Sequence, residues 1–124
     1  MTSVNPPAVG VLGNLRALCL SLPETSERTS WNHPNFLAGK KTFATFELVH
    51  GRPSIAFRLD HAEVERLARD KQFFTTPYGR GQWISIWADL PLDWSLVRDL
   101  ITRGYRLVAL KRMIAAMEGA ARAL

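Results

Sequence analysis

With 124 residues the chain is long enough for one domain with a single sizeable core, and its 47% hydrophobic and 22% charged residues are those of an ordinary globular protein. No stretch approaches the roughly 18 apolar residues a membrane span requires. Val9-Gly10-Val11-Leu12 is too short, and too uncharged upstream, for a secretory signal, so a cytoplasmic protein without membrane contact is expected. The formal net charge of +5 favours polyanionic partners over acidic small molecules, and twelve of the sixteen Lys and Arg lie after residue 51.

Cys19 is the only cysteine, which excludes an internal disulfide and a thiolate metal cluster. It sits among Leu15, Leu18, Leu20 and Leu22 and reads as a small buried hydrophobe, not a nucleophile.

In chain order, residues 1–8 hold Ser3, Asn5, Pro6 and Pro7 and are expected to be a flexible terminus. From Val9 the apolar positions Leu12, Leu15, Cys19 and Leu22 recur at helical spacing until Pro23 stops the helix. Glu24 to Ser30 is polar and Trp31-Asn32-His33-Pro34 irregular, with Trp31 expected as a lid over the core. Three strands follow: Asn35–Ala38, Lys41–Val49 and Arg52–Leu59. They are joined by the short turns Gly39-Lys40 and His50-Gly51 and must therefore be antiparallel neighbours. Asp60 reads as the N-cap of a helix from His61 to about Lys71, with Val64, Leu67 and Ala68 on its apolar stripe.

Phe73 to Trp87 is the stretch on which the rest converges. It comprises an aromatic lead-in, a turn built on Pro77, Gly79 and Gly81, and a strand that alternates Trp83, Ser85, Trp87 with Ile84, Ile86, Ala88. The last helical region starts after Asp93 and turns Trp94, Val97 and Ile101 inward. Gly104 is expected to break or bend it before a second amphipathic stretch through Leu107, Leu110, Ile114 and Met117. The domain is expected to span 9–118, with 119–124 fraying.

This order segregates helices onto one face of an antiparallel sheet, an α+β fold. The core face should gather Ala44, Phe46, Leu48, Ile55, Phe57, Leu59, Ile84 and Ile86, and the opposite face Phe43, Thr45, Arg58, Trp83, Ser85 and Trp87.

Several stretches resemble the MmcQ/YjbR family of small bacterial proteins. They are Leu22-Pro23-Glu24, Gly39-Lys40-Lys41-Thr42-Phe43-Ala44, Phe73-Phe74-Thr75-Thr76-Pro77-Tyr78, Gly81-Gln82-Trp83, and Leu100-Ile101 followed by Tyr105 through Arg112. The resemblance implies an α+β fold like that of secretion chaperones and a double-wing DNA-binding role without catalytic residues. Many relatives carry a histidine beside the aromatic of the Pro77-Tyr78 turn, where this chain has Tyr78-Gly79-Arg80. No role of that histidine carries over.

The site residues expected for nucleic acid are Lys40, Lys41, Arg58 and Arg80 for phosphates, with Tyr78 and Trp83 to stack on bases. The competing expectation is that Trp83 and Trp87 are packed under a loop or helix, since tryptophan is highly buried on average. His33, His50 and His61 show no helical ligand spacing, and Gly79-x-Gly81 lacks the rest of a phosphate loop. Neither a metal nor another cofactor is therefore expected. The expected protein is non-enzymatic, a DNA-binding protein, and a monomer or weak homodimer. The alternative is a module that binds a protein or small molecule in a pocket between the sheet and the 77–81 loop.

Overall fold

Ten elements follow one another through residues 7–123, the part that the computed structural model describes: α1 (Pro7–Leu20), β1 (Thr25–Ser30), β2 (His33–Ala38), β3 (Lys41–Val49), β4 (Arg52–Arg58), α2 (His61–Leu67), β5 (Phe73–Thr75), β6 (Trp83–Trp87), α3 (Trp94–Val108) and α4 (Lys111–Ala123). The expected loose terminus falls largely on residues 1–6, outside that range. Six strands make one antiparallel sheet in the order β1-β2-β3-β4-β6-β5. The helices pack on one face of it, as the α+β reading requires.

Register sets the two faces. Ala44 pairs with Phe57, Phe46 with Ile55, and these with Ile84 and Ile86, all on the helix side and buried. Ser54, Ala56 and Arg58 pair with Trp87, Ser85 and Trp83 on the other side. The alternation legible in the sequence therefore holds, with two corrections. Phe43 turns to the helix side because β3 carries an extra residue there: Phe36 pairs with Ala44 but Leu37 with Thr42. Its ring is fully buried, edge-on to Tyr105 at a centroid distance of 5.7 Å. Leu48, paired with Pro53 near the end of β3, is 61% exposed and joins no core.

β1 is an element that the sequence conceals. Thr-Ser-Glu-Arg-Thr-Ser has no apolar residue, yet it pairs along its whole length with β2 as an edge strand. Trp31 and Asn32, at φ 56° and 64°, make the two-residue hairpin turn between them. Trp31 is 89% exposed, so it is no lid over the core. On the helix side of β1, Glu27 accepts two hydrogen bonds from Arg16 of α1, at 2.6 and 2.8 Å. Asp60 caps α2 as expected, accepting from the Glu63 amide at 2.9 Å, but the helix ends at Leu67 and Ala68 is exposed. Cys19 is buried, and burial raises its thiol pKa well above the ordinary range.

Gly104 does not break its helix; α3 runs straight through it. A Cβ at this position would stand 2.7 Å from the Arg58 carbonyl oxygen and 3.1 Å from that of Phe43. The glycine is there because helix and sheet backbones touch. The chain breaks instead after Val108, and α4 buries Met113 while Leu107 and Leu110 stay exposed.

Two glycines in helices should therefore respond in opposite ways. Gly104→Ala is expected to cost about 1–3 kcal/mol through overpacking against rigid backbone. Gly119→Ala, with nothing within 4 Å of its would-be Cβ, should gain up to about 1 kcal/mol of helix propensity. Urea denaturation of the two variants checks this, and a neutral Gly104→Ala would refute the close approach. Phe57→Ala, which empties a fully buried position, should cost about 3–5 kcal/mol in the same assay.

Candidate functional site

The face of the sheet away from the helices is built of short side chains in the middle and large ones around them. Asn35, Thr45, Ala56, Ser85 and Phe74 form one cross-strand row, and Glu47, Ser54 and Trp87 the next. The segment after β5 lies over part of this face. The hydroxyls of Thr76 and Ser85, both buried, are 2.8 Å apart and tether it at its start. At Gly79, with φ +87°, the backbone rests directly on the Trp83 indole, so that a side chain there would overlap the ring. That contact holds Tyr78 beside Trp83, with ring centroids 6.4 Å apart and planes tilted by 56°.

What remains uncovered is a cleft of about 440 Å³. Trp31, Tyr78 and Trp83 wall it, and His33, Asn35, Thr42, Thr45 and Glu47 supply its polar groups. The volume is within the range of small-molecule sites, which combine apolar walls with a few convergent polar groups. No lysine or arginine lines it.

Glu47 organises the polar groups. The Tyr78 hydroxyl donates to its Oε1 at 2.9 Å, and His33 Nε2 lies 3.5 Å from its Oε2. The imidazole thus faces the carboxylate through Nε2, while Nδ1 is buried with no partner among the described residues. Burial pushes the Tyr78 pKa up to about 12; the nearby Thr45 hydroxyl opposes the shift and the hydrogen bond to Glu47 adds to it.

Glu47 differs from the other half-buried carboxylates. Glu27 is held by Arg16, Glu63 by Arg66 and Arg103, and Glu118 by Arg106. Glu47 has a phenol and an imidazole instead. Its carboxylate accepts one hydrogen bond, from Tyr78, and is not matched by a permanent cation among the described residues.

Of the residues expected to bind nucleic acid, Tyr78 and Trp83 come together in the cleft. Arg58 pairs in register with Trp83 but spends its guanidinium on the Leu59 carbonyl oxygen, at 2.7 Å. Lys40 and Lys41 are exposed at the β2–β3 turn, and Arg80 is exposed in the loop with φ +52°. None of these four cations lines the cleft. Trp83 and Trp87 are half-buried on the open face and belong to no helix-side core. Trp87 stacks on Phe74 at 4.1 Å and carries the Arg52 guanidinium 3.8 Å above its ring.

The three histidines lie on different elements: His33 in the cleft, His50 in the β3–β4 turn and His61 at the start of α2.

Residues 20–107 match the model of the YjbR family. The chain belongs to the YjbR family. Among solved structures it is similar to a Deinococcus radiodurans protein with a DUF419 domain, at 18% identity and a TM-score of 0.68, covering 88% of this chain and 86% of that one. It is also similar to a Pseudomonas syringae protein, at 15% identity and a TM-score of 0.61, covering 68% of this chain and 87% of that one. At such identities the likeness is one of fold. No curated protein matches this chain.

The expected site lacks Trp31, His33, Asn35, Thr42, Thr45 and Glu47. Thr45 and Glu47 were within reach of β3 alternation, whereas His33 depends on the polar strand β1 and its hairpin, which carry no apolar period.

The link between Tyr78 and Glu47 can be read by titration. Tyr78 and Tyr105 are the two tyrosines, so a Tyr105→Phe variant leaves one phenol to follow at 295 nm. It should ionise near pH 12, and Glu47→Gln should lower that value by removing the carboxylate that disfavours phenolate. Because the folded pKa is raised, the stability from this phenol is complete below pH 10 and fades as pH climbs towards 12. Ionisation at an ordinary tyrosine value would contradict the burial.

Proposed function

We propose that this YjbR-family chain is a non-catalytic binding module whose ligand occupies the cleft between the open sheet face and the 77–81 loop. The observation that carries the reading is the concave aromatic wall closed around Glu47. Three large rings, one of them 89% exposed, surround polar groups of which Glu47 is held by the Tyr78 hydroxyl, while His33 Nδ1 and Thr45 Oγ1 are buried with no partner among the described residues. A free tryptophan in water costs solvation, and Trp31 also adopts a left-handed backbone that costs roughly 1–2 kcal/mol. Such features gather where a contact is made rather than where a core is sealed.

The experiment is a melt of the protein against a chemically diverse small-molecule set, with tryptophan fluorescence as the second readout. Ligands should raise the melting temperature in wild type and lose that effect in a Thr45→Trp variant that fills the cleft. If no compound shifts either readout, or if Thr45→Trp responds like wild type, the reading falls.

A second reading is supported by the register pair Arg58–Trp83 and by the neighbouring Tyr78 and Arg80. In it, duplex DNA lies across the open face with Lys40, Lys41, Arg58 and Arg80 on phosphates. Four such contacts would give a log–log salt slope of about −3.6, flattened in a Lys41→Glu, Arg80→Glu double variant. Fluorescence anisotropy over a salt series decides it, and no binding at low salt excludes it.

A further inference from the structure

The cleft has a chemical bias that narrows its ligand, and the following rests on the binding reading above. We infer that the cleft takes an organic cation, an alkylated or quaternary ammonium group seated against Trp31, Tyr78 and Trp83 and drawn in by Glu47.

Three observations converge. The first is charge. Glu47 is half-buried without an arginine, unlike Glu27, Glu63 and Glu118, and the cleft around it has no lysine or arginine. Of the cations on this face, Arg28, paired in register with Asn35, is exposed and does not line the cleft, and two others are committed elsewhere. Arg52 is fixed to Asp89 by hydrogen bonds of 2.7 and 3.0 Å, and Arg58 to the Leu59 carbonyl. In a partly desolvated site an unmatched carboxylate attracts a cation more strongly than it would in water.

The second is ring geometry. A planar heteroaromatic ligand sandwiched by stacking would need two parallel rings, but Tyr78 and Trp83 meet at 56° with centroids 6.4 Å apart. Tilted rings form a corner. A compact cation in that corner lies over the negative faces of both, which is how quaternary ammonium groups are recognised.

The third is the direction of the hydrogen bonds. The Tyr78 hydroxyl donates to Glu47, so its oxygen and ring are left electron-rich towards the cleft. A phosphate or carboxylate ligand would find Glu47 opposing it and no lysine or arginine in the cleft lining to receive it. A metal ion would find one carboxylate and one imidazole, short of a ligand set.

The source could be a free amine or a methylated lysine of another protein, since both present the same head group. The test titrates wild-type protein with choline, with its uncharged isostere 3,3-dimethylbutan-1-ol, and with a trimethyl-lysine peptide beside its unmethylated form. Tryptophan fluorescence and calorimetry read the binding. Choline should bind about tenfold tighter than the isostere, and Glu47→Gln should abolish that preference while leaving the melt close to wild type. Trp31→Ala, which removes an exposed ring, should weaken choline about tenfold without loss of fold.

Tighter binding of the methylated peptide than of choline assigns a protein-borne ligand, and the reverse assigns a free amine. Equal affinity for choline and isostere, or an unchanged preference in Glu47→Gln, overturns the inference and leaves a neutral-ligand cleft. No binding of any ammonium probe also overturns it. In that case, hits that Thr45→Trp abolishes would preserve the broader reading, and the absence of both removes it.

Discussion

The architecture turns on a backbone-to-backbone contact. At Gly104, α3 lies on the carbonyl oxygens of Phe43 and Arg58, so close that no side chain fits between. That approach is possible only on a smooth part of the sheet, at β3 and β4, and it drives the neighbouring Tyr105 through the core. There the ring meets Phe43 edge-on, and the hydroxyl donates to the Pro23 carbonyl at 2.7 Å. A buried hydroxyl with a partner costs little, whereas an unpaired one costs about 1–3 kcal/mol, so this single bond also fixes the segment after α1. α3 thereby ties together the middle of the sheet and the chain on its far side.

The bulge at Phe43 lies beside the same contact. One extra residue in β3 lets both Phe43 and Ala44 point at the helices, while Thr42 and Thr45 point to the open face. The helix side gains an aromatic ring, and the open side loses one. A regular strand would have placed the Phe43 ring where the cleft lies. The hydrophobic packing of one face and the concavity of the other are thus two results of one local irregularity.

Charge is distributed with a similar economy. Most acidic side chains are matched by arginine, including Glu24 with Arg112 across 88 residues of sequence and Asp89 with Arg52 beside Trp87. Exposed pairs of this sort contribute little to stability, but they remove charge from the surface field. What the pairing leaves is a scattered basic periphery, which includes Arg28, Lys40, Lys41 and Arg80, and one half-buried carboxylate without an arginine, Glu47. The net positive charge of the whole chain therefore does not describe the cleft, where the local sign is negative.

The sequence alone determined whatever depends on period and on turn chemistry. Alternation over Arg52–Leu59 and Trp83–Ala88 assigns Ile55, Phe57, Ile84 and Ile86 to the core, and Asp60 marks the start of α2. These signals are local, because burying one face of a strand or capping a helix demands particular residues at particular spacings. The ordered motifs from Leu22-Pro23 to Tyr105–Arg112 identified the family for the same reason.

Tertiary structure alone decided what depends on residues distant in the chain. β1 has no apolar period, since an edge strand of polar residues is held by its partner's backbone. Gly104 reads as a helix breaker until the carbonyls of Phe43 and Arg58 are seen beneath it. The cleft draws Trp31, His33, Glu47, Tyr78 and Trp83 from a hairpin tip, three strands and a loop, and no spacing along the chain encodes that meeting. Its chemistry arises from which charges the fold pairs and which it leaves alone, a property of three-dimensional proximity and dielectric rather than of sequence order.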